Sequence, residues 1–163
     1  MVKIPPFGSI GANGVAKLFG IKYGQLKNWL EAGYVEASDT EAHGDGVRRF
    51  FTVPHKLYEF EILIRLKEMG IKLPVAGQWI EHLSKIRPGQ IVWTEQFSKI
   101  HPGSIAAKNI PDFLLFGCIG GRVERAVLCS KSRLVTELEG FDDAYVINFP
   151  PIVVRVNDLM KKL

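Results

Sequence analysis

From Gly11 to Leu83 the apolar residues recur at helical spacing, interrupted by short glycine-containing turns. That period marks amphipathic helices packed on a core. Val15, Ala16, Leu18 and Phe19 form the apolar face of a short first helix, with Asn13 as its expected N-cap and Gly20 as its stop. A second helix is expected from Tyr23 to Ala32, with Leu26, Trp29 and Leu30 on one side and Gly33 as a left-handed stop. Glu36–Gly46 (EASDTEAHGDG) is polar, flexible and turn-rich. It leads into the strand Val47-Arg48-Arg49-Phe50-Phe51, where alternation puts Val47, Arg49 and Phe51 on one face and Arg48 and Phe50 on the other. Pro54 suits the first turn of a third helix, which runs to about Met69 and buries Leu57, Phe60, Leu63, Ile64 and Leu66. Gly70 stops it, and Pro74 opens a fourth helix through Trp79, Ile80 and Leu83.

The pattern changes after that point. Ser84–Gln90 (SKIRPGQ) is polar, carries a Pro-Gly pair and reads as a linker. Beyond it lie apolar runs dense in Val, Ile, Leu and Phe. Ile91–Trp93 reads as a strand and Glu95–Ile100 as a short helix. Asp112–Ile119 and Arg122–Ser130 read as a β-hairpin closed by Gly120-Gly121, so that 119 faces 122 and 112 faces 129. Ser132 is the expected cap of a helix through Leu134, Val135 and Leu138, stopped by Gly140. Tyr145–Phe149 reads as a strand. After Pro150-Pro151 a closing helix would bury Ile152, Val153, Val156, Leu159 and Met160. The expected fold class is therefore α+β. Residues 1–83 form a mostly helical unit with a small β-hairpin, 84–90 a linker, and 91–163 a small α+β unit, marginal unless it packs on something else.

Composition narrows the class. Of 163 residues 47% are hydrophobic and 23% charged, a globular balance that excludes a disordered tail, a collagen-like chain or a coiled-coil rod. The longest apolar stretches, Phe113–Ile119 and Ile152–Val154, fall far short of the roughly 20 residues of a membrane helix. The opening MVKIPPFGSIGANG has no apolar core of signal-peptide length, and two cysteines are too few for a disulfide scaffold. A cytoplasmic protein without a membrane partner is the expectation. The net charge is +4, with 10 Lys+Arg against 9 Asp+Glu up to residue 83 and 11 against 8 beyond it. So mild an excess permits a nucleic-acid partner without requiring one.

Two short helices joined by a tight glycine turn make a helix-turn-helix, and the basic hairpin after them has the anatomy of a β-wing. In this order the motifs resemble the winged-helix domain of MerR-type transcriptional regulators. Val15-Ala16-Lys17-Leu18-Phe19-Gly20-Ile21 resembles the family's first helix, and Leu26–Tyr34 (LKNWLEAGY) the end of its recognition helix. Gly46-Val47-Arg48-Arg49-Phe50 resembles the wing, and Gly70-Ile71-Lys72-Leu73 the turn after the third helix. The likeness covers about half the chain. Lys27 stands where the family usually has Arg, Asn28 and Trp29 replace paired tyrosines, and Leu30 replaces an acid. No long dimerisation helix is visible after Leu83.

The resemblance implies a sequence-specific regulator whose partner is double-stranded DNA. Lys17, Lys22, Tyr23, Gln25, Lys27 and Asn28 would lie along the reading helices, where Lys, Gln and Asn can meet base edges. Arg48 and Arg49 would meet phosphates or the minor groove. Trp29, Phe50 and Phe60 read as core. A single winged helix covers one half-site, so a homodimer is expected, held through residues 91–163 by strand-edge pairing or face packing. The sequence names no effector.

No catalysis is implied, because no nucleophile–base pair, phosphate loop or carboxylate dyad appears. No cofactor or metal is expected either. His43, His55, His82 and His101 are scattered without partners at ligand spacing. Metal-sensing members of the family use cysteines beside the long helix, and none lies near residue 83. In the hairpin register Cys118 opposes Val123, several pairs from Cys129, so neither a disulfide nor a shared metal fits. Two other readings suit the same residues: a DNA-architectural factor of the excisionase kind, and a protein-binding adaptor whose winged helix no longer binds DNA.

Overall fold

The computed structural model describes residues 8–44, 46–85 and 111–163. The chain is α+β. In its first half, β1 (Ser9–Gly11) leads into helices α1 (Ala12–Phe19) and α2 (Tyr23–Glu31), strands β2 (Asp39–His43) and β3 (Gly46–Thr52), and helices α3 (His55–Glu68) and α4 (Leu73–Lys85). In the second half, β4 (Phe113–Ile119) and β5 (Arg122–Cys129) are followed by a 3-10 turn (Lys131–Arg133), α5 (Leu134–Leu138), β6 (Asp143–Asn148) and α6 (Pro150–Met160). Two antiparallel three-stranded sheets result, in the orders β1-β3-β2 and β5-β4-β6. The first two residues read as linker belong to α4. The rest of that segment, with Ile91–Trp93, Glu95–Ile100 and His101, lies outside the described residues. Among the described residues no helix is long and apolar enough to cross a membrane.

Three helices end by the same local device. Each runs into a glycine followed by an apolar residue: Gly20-Ile21, Gly33-Tyr34 and Gly70-Ile71. The glycines take φ of 66°, 73° and 87°, the left-handed region that other residues enter at a cost. The apolar residue's amide then donates back across the last turn: Ile21 N to Ala16 O at 3.0 Å, Tyr34 N to Trp29 O at 2.9 Å, and Ile71 N to Leu66 O at 3.0 Å. This closure satisfies carbonyls that a helix end leaves open and folds the apolar residue back onto its own helix.

The start signals are less faithful. Gly11, not Asn13, is the N-cap of α1, and no side chain caps it. Ser132 lies inside the 3-10 turn rather than capping a helix. The Asp112 carboxylate accepts the Lys131 amide there at 2.7 Å, across 19 residues of chain. In α5, Val135 is 72% exposed and Glu137 turns inward, where Arg125 and Arg133 both donate to its carboxylate. This helix has only five residues, and the charge clamp on Glu137 ties it to β5. The last strand begins and ends earlier than expected, and Phe149 leads into α6. The hairpin turn falls at Gly120-Gly121, Ile119 faces Arg122 and Cys118 faces Val123, as expected. A bulge between Gly117 and Cys118 then shifts the register by one, so Phe113, not Asp112, faces Cys129.

The side chains of both halves meet in one cluster from Val15 to Leu159. Its spine is α3. Phe60 lies 5.6 Å from Phe19 of α1 and 5.4 Å, edge-on, from Phe51 of β3. Tyr58 stacks at 6.2 Å on Phe149, and Trp79 of α4 lies 5.2 Å from Phe116 of β4. The expected α3 positions Leu57, Phe60, Leu63 and Leu66 are buried and Ile64 partly so; Tyr58, Glu59, Glu61 and Ile62 are buried as well, with α6 packed on a second side of the helix and Glu59 beside Tyr34, Val35 and α4. The closing helix buries Ile152, Val153, Val156 and Leu159 as its pattern requires, with Met160 partly buried.

Two helical glycines should respond oppositely to alanine. At Gly77 an added Cβ would stand 2.9 Å from the Tyr34 Cα, so α4 must retreat from the backbone it packs on. Overpacking costs typically about 1–3 kcal/mol against about 1 kcal/mol of gained helix propensity. Gly24, in α2, has nothing within 4 Å of that position. Gly77→Ala is expected to lower stability by about 1 kcal/mol and Gly24→Ala to raise it by about 0.5–1 kcal/mol, both measured by denaturant unfolding of the full chain.

Candidate nucleic-acid interface

Helix α2 has a sharply divided surface. Leu26 and Trp29 are buried, and Leu30 packs partly beside them. Lys27 and Asn28 lie on the opposite, exposed side; Tyr23 is exposed in the first turn, and Lys22 precedes the helix in extended backbone, also exposed. Gln25 is half-buried at the margin between the two faces, so its amide is less open than those neighbours. Lys17 is exposed in the last turn of α1. No acid occupies the first turn of α2. Its amide dipoles and Lys22 therefore favour an anion at the same end.

Lys27 sits 3.6 Å from Glu31 one turn on, with both side chains about half exposed (53% and 52%). Such a pair contributes little, about 0–1 kcal/mol. A phosphate displacing Glu31 would therefore meet little resistance. Trp29 anchors the helix from beneath, with the Lys67 ammonium of α3 lying 5.9 Å from its ring centroid. That contact and the buried Leu26 fix how α2 presents its outer face.

The two arginines stand on opposite faces of β3. Arg49 shares the side of Phe51, which is fully buried, and is itself half-buried; Arg48 is exposed on the other side. Pairing sets Arg49 across from Thr40 and Arg48 across from Glu41. The hairpin therefore carries an acid opposite one of its arginines, a cross-strand arrangement that holds opposite charges in place. Val47, toward the hairpin's tip, is 56% exposed.

The segment expected to be a flexible loop is half strand. Asp39–His43 pairs with β3 over five positions. Its own composition gives no strand signal, but the Gly44-Asp45 pair before Gly46 is a two-residue hairpin signal that would have located it. The pairing brings Thr40 and Glu41 beside the arginines, a placement that the local sequence pattern does not announce. Helix α1 packs against both α2 and β3, and β1 adds to the far edge of β3. One small body thus holds both basic elements.

Among the described residues no group of three or more His, Cys, Asp or Glu could hold a metal ion. Cys118 and Cys129 are buried free thiols at opposite ends of the hairpin. Burial, aided by Asp143, pushes the Cys118 thiol above its ordinary value; burial, aided by Glu137, does the same at Cys129. Both therefore keep their protons, and a thiol is a poor nucleophile and ligand.

Comparison with known proteins identifies no relative. No protein-family model matches the chain, and no curated protein is significantly similar to it. Its function must be read from its own residues.

Proposed function

We propose that residues 8–85 are a winged helix-turn-helix of the MerR type and that the chain is a cytoplasmic, sequence-specific DNA-binding transcriptional regulator. One observation carries this reading. The exposed face of α2 presents Tyr23, Lys27 and Asn28, while the same body holds out a hairpin with Arg48 and Arg49. On this reading α2 enters the major groove, where Asn28 and Lys27 meet base edges, and the hairpin lies along the backbone. Lys17 and Lys22 contribute phosphate contacts, and Gln25 reads from the margin of the helix. Arginine suits the hairpin because its planar fork matches a phosphate.

Base recognition and phosphate neutralisation separate experimentally. With a site selected from a random pool and the full chain, affinity is measured across a salt series. Arg48→Ala with Arg49→Ala should weaken binding to all sequences and lower the salt slope by about 1 for each phosphate left without its arginine. Unchanged affinity with the fold intact would remove the wing from the interface. Asn28→Ala should instead relax sequence preference by about 1–3 kcal/mol at one position and leave the salt slope alone. A shallow salt slope in the unaltered chain would favour the adaptor reading.

The same reading requires two copies, since one small winged helix covers one half-site. Strand β6 is an outer strand of the β5-β4-β6 sheet, and Tyr145 on it is 37% exposed. Pairing of two β6 edges about a two-fold axis would bring two half-sites under one assembly. Sedimentation velocity of the full chain at micromolar concentration should give a dimer, and the selected site should be palindromic. A monomer in both free and DNA-bound samples would refute this arrangement.

A further inference from the structure

A cleft opens where the start of α4 meets the second sheet, away from α2 and the hairpin. Its volume is about 260 Å3. Trp79 and Tyr145 line it, with ring centroids 4.8 Å apart and planes tilted by 52°. Val75, 40% exposed, lies on the α4 side, and buried Cys118 lies on the sheet side. Trp79 is only 7% exposed and packs on Phe116 at 5.2 Å, so Tyr145 is the more open of the two rings. Lys72 and Asp143 also line the cleft. Both are exposed, and among the described residues neither takes part in an ion pair.

We propose that this cleft binds a small planar aromatic zwitterion of amino-acid size, its ring against Trp79 and Tyr145, its carboxylate at Lys72 and its ammonium at Asp143. Each part of that class follows from the lining. The volume falls just below the roughly 300–1,000 Å3 of ordinary ligand pockets, which limits the occupant to one ring system with a short polar arm. Aromatic walls favour a flat, polarizable partner. Two opposite charges facing one small space, unspent on each other, suit a molecule carrying both signs. A nucleotide does not fit: it is too large, and its phosphates would meet Asp143. Because the turn before α4 and the sheet each supply one charge, the ligand would bridge the two halves of the chain.

The test is calorimetric titration of the full chain with three probes: L-tryptophan, tryptamine, which lacks the carboxylate, and indole-3-propionate, which lacks the amine. L-Tryptophan should bind saturably, and each deleted probe at least about tenfold more weakly, the worth of a charged hydrogen bond. Lys72→Met should weaken L-tryptophan about tenfold and leave tryptamine unchanged; Asp143→Asn should weaken it likewise and leave indole-3-propionate unchanged. Both side chains are exposed, so the fold should persist, and the probe series on the unaltered chain decides the matter without them. Absence of saturable L-tryptophan binding overturns the proposal. So does a deleted probe that binds equally well, or a loss that ignores which charge was removed. None of these readouts involves DNA, so the cleft and the DNA-binding reading stand or fall separately.

Discussion

Helix α3 has solvent on almost no side, and the rest of the molecule is arranged around that fact. Leu57, Tyr58, Phe60, Ile62, Leu63 and Leu66 are all at most 2% exposed, a run that covers every face of a helix. A helix with buried residues on so many sides must be packed on each of them. One side takes α1 and the β3 hairpin through Phe19, Phe51 and Phe60; another takes α6 and the second sheet through Tyr58 and Phe149. Each large side chain so buried contributes about 1.5–3 kcal/mol. The wrapping also traps two carboxylates. Glu59 meets Lys56 at 2.7 Å and Glu61 meets Arg65 at 3.0 Å, each within about one turn of the same helix. Burial raises the Glu59 carboxyl above its ordinary value, while Lys56 opposes the shift. The local pairing lets a polar stripe survive where apolar partners close in, since removing one member of such a pair leaves a buried charge uncompensated.

What was legible in the sequence follows from this division. Helices α1, α2, α4 and α6 each have one covered face, so a 3.6-residue pattern located them and named their buried residues. In α3 that pattern named only the side shared with the first half. Tyr58 owes its burial to Phe149, a residue that comes from the other end of the chain, and no local period can announce it. Strand β2 was hidden for a related reason: Asp39-Thr40-Glu41-Ala42-His43 has little strand propensity and pairs because Val47–Phe51 offers an edge. The bulge at Gly117/Cys118 lies in a run whose two faces are both covered, where alternation carries no signal. Even so, the register near the turn was readable, since Gly120-Gly121 takes φ of 57° and 75° and so fixes the nearest pairs.

The candidate interface was readable for the opposite reason. Lys22, Tyr23, Lys27 and Asn28 stay outside because Leu26 and Trp29 go inside, and that separation is a property of a short window around one helix. Gln25 shows its limit, since a residue at the edge of a stripe is decided by how close the neighbouring element comes. For Arg48 and Arg49, alternation assigned opposite faces correctly, but only the partner strand sets Glu41 and Thr40 across from them. The cleft at Trp79 and Tyr145 was beyond reach, because its two walls are 66 residues apart in sequence.

Recognition by a helix and a hairpin requires that the two keep a fixed separation, since a shift of an ångström moves side chains off base edges and phosphates. Here neither element holds the other directly; α1 packs on both, and each also touches α3. Trp29 of α2 lies under the Lys67 ammonium, and Phe51 of β3 packs edge-on against Phe60. These two contacts sit about two helical turns apart on α3. Its far side is clasped by Phe149 and α6, and its end turns at Gly70 into the helix that carries Trp79. A force that displaced the second sheet against α3 would therefore reach α1 and the β2–β3 hairpin through the packed rings of Phe19, Phe51 and Phe60. Packed cores respond to such a force by moving as units, not by deforming gradually. The second half of this chain is thus packed into the same core that carries α2 and the β2–β3 hairpin.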